Sequence, residues 1–202
     1  MNIEDLFLRN VPKMREKLKA NKVGIAGCGG LGTNIAVSLV RAGIGEILLA
    51  DFDKVELSNL NRQYFFLDDI GKMKTEALKE IIQRINPEVK ITTINEELTP
   101  QNVVEIFSDI DVMVEAFDLA DRKYWLIDSW SRHHKEIPLV CGSGVAGYGK
   151  SNELKMVRIG NLYVCGDQRS DMKDGLCSAR VALVANMQAN TVIEIIMQKE
   201  FK

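Results

Sequence analysis

A glycine-rich segment, Gly27-Cys28-Gly29-Gly30-Leu31-Gly32, is the first group of residues in this chain whose types and spacing could do chemistry. A short apolar run precedes it and apolar residues at helical spacing follow it, which predicts a strand, a tight turn and a helix. In such a turn Gly27 permits the bend, Gly29 admits anionic oxygens to the backbone, and Gly32 lets the helix pack closely on the strand. The N–H groups that open the helix then face an anion such as a phosphate.

Carboxylates follow the second predicted strand, Glu46 to Ala50, at the sheet edge where the glycine turn also lies. Asp51 ends this strand and is placed to accept hydrogen bonds from ribose hydroxyls, in NAD enzymes and in adenylate-binding enzymes alike. Asp53 is compatible either with a second carboxylate that faces the ligand or with a loop residue. Asp51 therefore predicts a nucleotide but does not discriminate between the two classes of enzyme.

Four amide or cationic side chains come next and favour cleavage of a nucleoside triphosphate: Asn59, Arg62, Gln63 and Lys74. In adenylyl transfer, charge accumulates on the phosphates, and fixed cations such as the planar guanidinium of Arg62 stabilise it. Lys74 lies in the first turn of a predicted helix that runs to about Ile85, where the helix dipole disfavours a cation. This position indicates an anionic ligand, and a solvated surface lysine is the alternative.

Segments in four places resemble the ThiF/MoeB/HesA family, relatives of the adenylation domain of ubiquitin-activating enzymes: GCGGLG at 27–32, DFDKVELSNLNRQ at 51–63, GKMKTEAL at 71–78 and INP at 85–87. The likeness covers about residues 20 to 195. It implies a Rossmann-like fold, a homodimer, and adenylylation of the C-terminal carboxylate of a small ubiquitin-like sulfur carrier protein that ends in Gly-Gly. ATP and Mg²⁺ are the implied cofactors, and pyrophosphate is the implied product. A ThiS-like carrier of thiamin biosynthesis is favoured, because the compact chain looks most like short ThiF-like proteins. Molybdopterin, cysteine and other sulfur pathways are the alternatives.

The same resemblance assigns roles to single residues. Asp51 would contact the ribose, and Lys74 would bind phosphate oxygens. The triphosphate would be held by Asn59, Arg62 and Gln63. Asp118 matches the family's magnesium-associated aspartate, and a carboxylate at a strand end suits a hard cation. The stretch around it departs from the family pattern, because Leu119 stands where asparagine is usual and Phe117 where threonine is usual.

An arginine from the neighbouring subunit's N-terminal segment also reaches the ATP site in the family. Arg9 is the best match, and Arg15 is the second choice. Ile3 to Arg9 is predicted to form a short helix, and Pro12 to begin a second one, because proline fits the first helical position. An ordinary amphipathic hairpin explains the segment equally well.

Four cysteines bear on zinc and on nucleophilic catalysis: Cys28, Cys141, Cys165 and Cys177. They form no Cys-x-x-Cys pair, so the tetracysteine zinc site of many relatives is predicted to be absent. Cys177 and Cys165 are the candidates for a thiol that bonds covalently to the carrier, as happens in parts of the family. The alternative is that they are small apolar packing residues, since reactivity requires a lowered thiol pKa.

Strands alternate with helices along most of the chain, which predicts an α/β fold with a mostly parallel sheet and helices on both faces. The predicted strands after the first two are Val89 to Ile94, Asp111 to Val114 and Pro138 to Cys141. Helices are predicted over Pro100 to Phe107, Asp121 to Arg132 and Ala179 to Lys199. Short antiparallel strands are predicted at Val145 to Gly149 and Leu154 to Ile159, and a mobile loop at Gln168 to Gly175.

The length of 202 residues predicts one adenylation domain over residues 1–202. It divides into a helical segment at 1–20, a nucleotide-binding core at 21–143 and a part at 144–202 with antiparallel strands, the loop and the final helix. A net charge of −2 gives no footprint for nucleic acid. The sequence lacks an apolar run of about 18 residues and a signal peptide, which predicts a cytoplasmic protein without membrane contact.

Three other functions are alternatives to the adenylyltransferase. An NAD-dependent oxidoreductase accounts for the glycines and Asp51 but leaves Arg62 and Lys74 unused. A catalytically silent scaffold is expected to lack some of the residues Asp51, Arg62, Lys74 and Asp118, and all four are present. A tRNA-modifying dehydratase of the same family is expected to have a basic surface and a longer C-terminal part, and this sequence shows neither feature.

Overall fold

The computed structural model describes residues 2–199 and alternates strands with helices along the chain, as the sequence predicts. The strands are β1 (Lys22–Ala26), β2 (Glu46–Ala50), β3 (Lys90–Ile94), β4 (Val112–Glu115), β5 (Leu139–Gly142), β6 (Lys155–Ile159) and β7 (Leu162–Gly166). The helices are α1 (Met14–Lys19), α2 (Gly30–Ala42), α3 (Lys74–Ile85), α4 (Val103–Ile106), α5 (Ala120–His133) and α6 (Ser178–Gln198).

The strands form one seven-stranded sheet in the order β3-β2-β1-β4-β5-β7-β6. Every neighbouring pair is parallel except β6 and β7, which are antiparallel. The strand order reverses between β1 and β4, and Gly24 of β1 lies opposite Leu48 of β2 on one side and Met113 of β4 on the other. The carboxyl ends of these strands flank the point at which doubly wound sheets bind their ligands. The predicted fold class is therefore confirmed.

Helices cover both faces of the sheet because alternate strand residues point to opposite sides. Ile47 and Leu49 of β2 pack in a cluster with residues of α2, α3 and α6, whereas Leu48 belongs to the cluster on the other face. That second cluster is built with α4 and α5 around Phe107 and Trp130. Apolar residues on both faces of the central strands explain why their sequences read as continuous hydrophobic runs.

The N-terminal segment differs in detail from its prediction. A 3₁₀ helix covers Ile3–Phe7, and the second helix begins at Met14 rather than at Pro12. Lys13 has φ +67° immediately before α1, so the chain turns sharply after the proline instead of entering a helix there. The Arg15 side chain donates to the carbonyl of Gly43, at the end of α2, at 2.8 Å. This contact fastens the segment to the edge of the sheet opposite the glycine turn.

The predicted strand at Val145 to Gly149 is wrong. Positive φ angles at Gly144, Gly147 and Gly149 prevent a regular strand, and Gly147 makes only a single bridge to Leu176. β6 instead pairs with β7, which the sequence pattern did not identify as a strand. The predicted helix over Pro100 to Phe107 is shorter as well, because only α4 is helical there. Among residues 2–199, no helix is both long and apolar enough to cross a membrane.

Gly32 provides a test of the junction between β1 and α2. A Cβ atom at Gly32 would lie 1.9 Å from the carbonyl oxygen of Gly27, which is backbone and has no alternative position. We expect Gly32→Ala to lower the free energy of unfolding by about 3 kcal/mol, the upper end for overpacked sites. Gly29→Ala is the matched control, since its nearest neighbour would be the Gln63 amide at 3.8 Å. Equal denaturant midpoints for Gly32→Ala and the wild type would contradict this packing.

Candidate functional site

A cavity of about 580 Å³ opens at the carboxyl ends of the central strands and collects most of the predicted site residues. Its lining includes Gly27, Gly29, Gly30, Leu31, Asp51, Asp53, Asn59, Arg62, Gln63, Lys74 and Asp118. Gly32 lies behind the turn, where the contact with Gly27 shapes the wall. These residues are up to 91 positions apart in the sequence, and they meet in one cavity because parallel strands end at the same edge of the sheet.

Asp51 connects the glycine turn to the segment after β2. Its Oδ2 atom accepts a hydrogen bond from the Cys28 N–H at 2.6 Å, and its Oδ1 atom accepts one from the Asp53 N–H at 2.8 Å. Burial raises the pKa of Asp51, while these two N–H groups act in the opposite direction. Each oxygen has a further lone pair, so the carboxylate can bind a ribose hydroxyl and still hold the turn.

Lys74 is paired with Asp53 across the mouth of the cavity. The Lys74 Nζ atom lies 2.7 Å from Asp53 Oδ2, and the Lys74 N–H donates to the Asp53 carbonyl at 2.9 Å. The Lys74 side chain is only 8% exposed. It is therefore not a solvated surface lysine, and the alternative raised by the sequence is wrong. Asp53 was predicted to be either a ligand-facing carboxylate or a loop residue. Neither prediction included its ion pair with Lys74.

The Arg62 guanidinium donates hydrogen bonds to uncharged groups only, among the described residues. Its Nη1 atom donates to the Ser58 carbonyl at 3.1 Å and to Asn61 Oδ1 at 2.7 Å. Within residues 2–199 no carboxylate forms an ion pair with it, so its charge is available to an anion in the cavity. Gln63 is buried nearby, and its Oε1 atom has no hydrogen-bond partner among the described residues. Asn59 is buried too, and its Oδ1 atom accepts from the Glu56 N–H.

Asp118 is exposed at the opposite side of the cavity, in the segment after β4. Glu115, at the end of β4, holds this segment in place and was not identified from the sequence. Its Oε1 atom accepts from the Phe117 N–H at 2.6 Å and from the Lys123 Nζ atom at 2.9 Å. Burial raises the pKa of Glu115, and the Lys123 ammonium opposes that shift. Its position at the end of an apolar strand is the sequence feature that could have identified Glu115 as a site residue.

Asp167 and Arg180 form a second ion pair that sequence reasoning missed. Asp167 Oδ2 lies 2.6 Å from Arg180 Nη2, and both side chains are almost fully buried. Burial acts to raise the Asp167 pKa, but hydrogen bonds from the Ser170 and Arg169 N–H groups, the Ser170 hydroxyl and Arg180 hold the pKa at about 2. The pair joins the segment after β7 to the start of α6.

The two candidate thiols are in different environments. Cys165 is completely buried in β7, with its Sγ atom 3.6 Å from the Thr191 hydroxyl, and burial raises its pKa. This environment disfavours the thiolate. Cys177 is exposed at the start of α6, directly after Leu176 of the cavity wall. Within the part of the chain described, residues 2–199, no group of three His, Cys, Asp or Glu side chains is arranged to hold a metal ion.

The N-terminal arginines lie outside the cavity of their own chain. Arg9 is exposed, whereas Arg15 pairs with Glu4 at 2.8 Å and lies over the Phe7 ring at 4.2 Å. Because Arg15 is occupied in this way, Arg9 is the better candidate for an arginine that acts on a neighbouring subunit.

The fold and the site define the class of this protein. It is a Rossmann-like α/β protein whose glycine turn lines a cavity at the carboxyl ends of the strands. More narrowly, the chain belongs to the ThiF family, whose family model matches residues 5–202. The resemblance inferred from the motifs is therefore confirmed.

Curated relatives and solved structures agree with this assignment. The molybdopterin-synthase adenylyltransferase of Haemophilus influenzae is 36% identical over 137 residues, which are 67% of this chain and 56% of that protein. The sulfur carrier protein ThiS adenylyltransferase of Bacillus subtilis is 34% identical over 149 residues, 72% of this chain and 44% of that protein. The chain thus spans about half the length of these relatives. The tRNA N6-threonylcarbamoyladenosine dehydratase TcdA of E. coli, solved with ATP, has the same fold, with a TM-score of 0.84 and 24% identity over 96% of this chain and 92% of that chain.

The Asp167 pKa gives a test of the second ion pair. Asp167→Asn leaves the buried Arg180 charge uncompensated, which we expect to cost roughly 3 kcal/mol at neutral pH. The folded-state pKa of about 2 lies below the ordinary value of 3.8, so the carboxylate stabilises the fold above pH 4 and loses this effect as the pH falls towards 2. Denaturant unfolding should therefore show the difference from the wild type shrinking over that range. A difference that stays constant down to pH 2 would contradict the assignment.

Proposed function

We propose that this protein uses ATP to adenylylate the C-terminal carboxylate of a small ubiquitin-like sulfur carrier protein and releases pyrophosphate. The supporting observation is one cavity in which Arg62 and Lys74 face a glycine turn and an acidic strand end. The names of the H. influenzae and B. subtilis relatives support an adenylyltransferase, and the B. subtilis name adds a sulfur carrier. A ThiS-like carrier of thiamin biosynthesis is the favoured substrate, since the B. subtilis relative is named for ThiS, and a cytoplasmic location stays a prediction.

The proposed reaction needs positioning and charge stabilisation rather than a general base. The carrier's carboxylate is ionised at neutral pH, so it can attack the α-phosphorus of ATP directly. A new O–P bond forms to the α-phosphorus, the bond from this atom to the bridging oxygen breaks, and pyrophosphate leaves with that electron pair. Arg62 would stabilise the charge that develops on the phosphates, and Lys74 would do so once phosphate oxygens compete with Asp53.

ATP fits the remaining lining of the cavity. The N–H groups at the start of α2 would face the phosphates along the helix dipole, and Asp51 would accept a hydrogen bond from the ribose. The buried Oε1 atom of Gln63 lacks a partner among residues 2–199, so a donor on the ligand would satisfy it. This assignment also explains why amide and cationic groups occupy the segment after β2, which an NAD-dependent oxidoreductase does not require.

Asp118 fits a role in binding Mg²⁺. Magnesium in nucleotide sites is commonly held by one or two carboxylates together with the substrate phosphates, rather than by a cage of protein ligands. A single exposed carboxylate on the cavity wall suits that arrangement. The ion would neutralise charge on the phosphates when ATP is bound. Zinc is not part of the proposal.

The proposed active form is a homodimer in which Arg9 of one subunit reaches the ATP of the other. Arg9 is exposed and has no place in the cavity of its own chain. Cys177 is the proposed position for any covalent step with the carrier, since it is exposed next to the cavity wall whereas Cys165 is buried.

Arg62→Ala tests the phosphate-binding role. Removing one donor that stabilises charge in the transition state costs about 2.7–4 kcal/mol, so we expect a loss of about 100- to 1000-fold in turnover. Carrier-dependent exchange of labelled pyrophosphate into ATP is the measurement. Titration of NADH by fluorescence is the parallel check on the oxidoreductase alternative. Wild-type exchange rates in Arg62→Ala, or tight NADH binding, would refute the proposal.

Mixing two inactive variants tests the arginine supplied by the neighbouring subunit. Arg9→Ala and Arg62→Ala homodimers should each be impaired at both sites. In a mixed dimer one site regains both arginines, because the subunit with intact Arg62 receives Arg9 from its neighbour. Random mixing should therefore restore about a quarter of wild-type pyrophosphate exchange if subunits assort freely. No gain over the unmixed variants, after subunit exchange is verified by mass spectrometry, would rule out action between subunits.

A further inference from the structure

One wall of the cavity is built from two segments that lack regular strand or long-helix structure. The first follows β5 and contributes residues 143–146, and the second follows β7 and contributes residues 170–172 and Leu176. A bridge between Gly147 and Leu176 joins them, together with backbone hydrogen bonds from the Asp167 N–H to the Gly144 carbonyl and from the Gln168 N–H to the Ser143 carbonyl. Side-chain contacts add to these few backbone bonds in setting the shape of the wall.

Arg180 supplies contacts to both segments from the first turn of α6. Its Nη1 atom donates to the carbonyls of Gly149 at 2.8 Å and Lys150 at 3.2 Å, and its Nη2 atom donates to Asp167 Oδ2 at 2.6 Å. The side chain is 3% exposed. A buried guanidinium must be compensated by such partners, because its desolvation is costly.

Asp167 extends this contact into the cavity wall. Its Oδ1 atom accepts from the Ser170 N–H at 2.8 Å and from the Ser170 hydroxyl at 3.1 Å. The same hydroxyl oxygen accepts from the Ala146 N–H at 3.2 Å. One carboxylate thus fixes both segments, and Gly144 packs so tightly against it that a Cβ there would lie 1.9 Å from Asp167 Oδ1.

The wall held in this way differs chemically from the phosphate side of the cavity. None of the lining residues that the two segments contribute, within residues 2–199, is a lysine or arginine, and several are glycine, alanine or serine. Small side chains let another backbone approach closely, which suits an extended polypeptide end with little bulk. The cationic side chains that suit phosphates, Arg62 and Lys74, come from the other half of the lining.

We propose that Asp167 and Arg180 are positioning residues that hold the wall on which the acceptor polypeptide lies, and that they set its affinity without affecting that of ATP. This inference rests on the proposed function, since it assigns the acceptor subsite of the same cavity. The hydrogen bonds of the phosphate side, from Asp51 to Cys28 and from Lys74 to Asp53, do not involve the pair. Loss of the pair should therefore separate acceptor binding from nucleotide binding.

Arg180→Met and Arg180→Lys test this role. The probes are ThiS-type and molybdopterin-synthase-type carriers that end in Gly-Gly, assayed by carrier-dependent pyrophosphate exchange, and ATP alone, assayed by isothermal titration calorimetry. We expect Arg180→Met to raise the KM for the carrier at least about tenfold and to leave the Kd for ATP within about twofold. Arg180→Lys keeps one charged partner for Asp167 and should recover part of the affinity.

Lys22→Met is the matched control. It removes a cation that is 20% exposed and paired with Glu46 at 3.0 Å, at the end of β1 far from the cavity, and should change neither constant. Ser170→Ala is the second variant if Arg180→Met does not fold. It removes only the hydroxyl between Asp167 and Ala146 and should raise the carrier KM about threefold.

The outcomes separate this inference from the proposed function. The positioning role would be overturned by a carrier KM that is unchanged in both Arg180→Met and Ser170→Ala. A loss of ATP affinity as large as the loss of carrier affinity would overturn it as well. Neither result would affect the proposed function, which depends on pyrophosphate exchange by the wild type. If the wild-type protein binds ATP but none of the carriers supports pyrophosphate exchange, the proposed function is overturned, and the assignment of the acceptor wall falls with it.

Discussion

The carboxylate of Asp51 is the contact on which the arrangement of the cavity depends. With one oxygen it holds the N–H of Cys28 in the glycine turn, and with the other it holds the N–H of Asp53 after β2. Asp53 in turn binds Lys74 at the start of α3. The turn, the segment after β2 and the lysine are thereby one connected polar unit. Backbone hydrogen bonds, from the Lys74 N–H to the Asp53 carbonyl and from the Gly27 N–H to the Ala50 carbonyl, complete this unit.

Arg62 and Lys74, two of the cationic residues that line the cavity, are held in different ways, and this difference bears on the proposed reaction. Arg62 has only neutral partners, so an anion can bind it without displacing a carboxylate. Lys74 is already paired, so phosphate oxygens must compete with Asp53 for its ammonium group. A weakly charged ligand would leave the Lys74 pair intact, whereas a triphosphate can replace it. Under the proposed function, we therefore expect the cavity to bind highly charged nucleotides in preference to neutral or singly charged ones.

The sequence was sufficient for the parts of the site that follow from local pattern. The glycine turn, Asp51 and Lys74 sit at strand ends or helix starts, and parallel strands bring such positions to one edge. The Asp167 and Arg180 pair was not predictable, because its partners are joined only through the tertiary packing of α6. The strand predicted at residues 145–149 failed for a related reason. Its alternation resembled a strand, but two glycines within it and Gly144 just before it adopt positive φ, and the hairpin forms from β6 and β7 instead.

The outer strands of the sheet, β3 and β6, each leave one edge without a neighbouring strand among residues 2–199. Such an edge is a template for pairing with another chain, and natural sheets commonly guard it with charged residues. β6 carries Lys155 and Arg158, and β3 begins with Lys90. Like charges facing each other would repel two copies that met edge to edge. The charges at both rims therefore oppose fibrillar association, and they disfavour a symmetric assembly that joins two copies through a sheet edge.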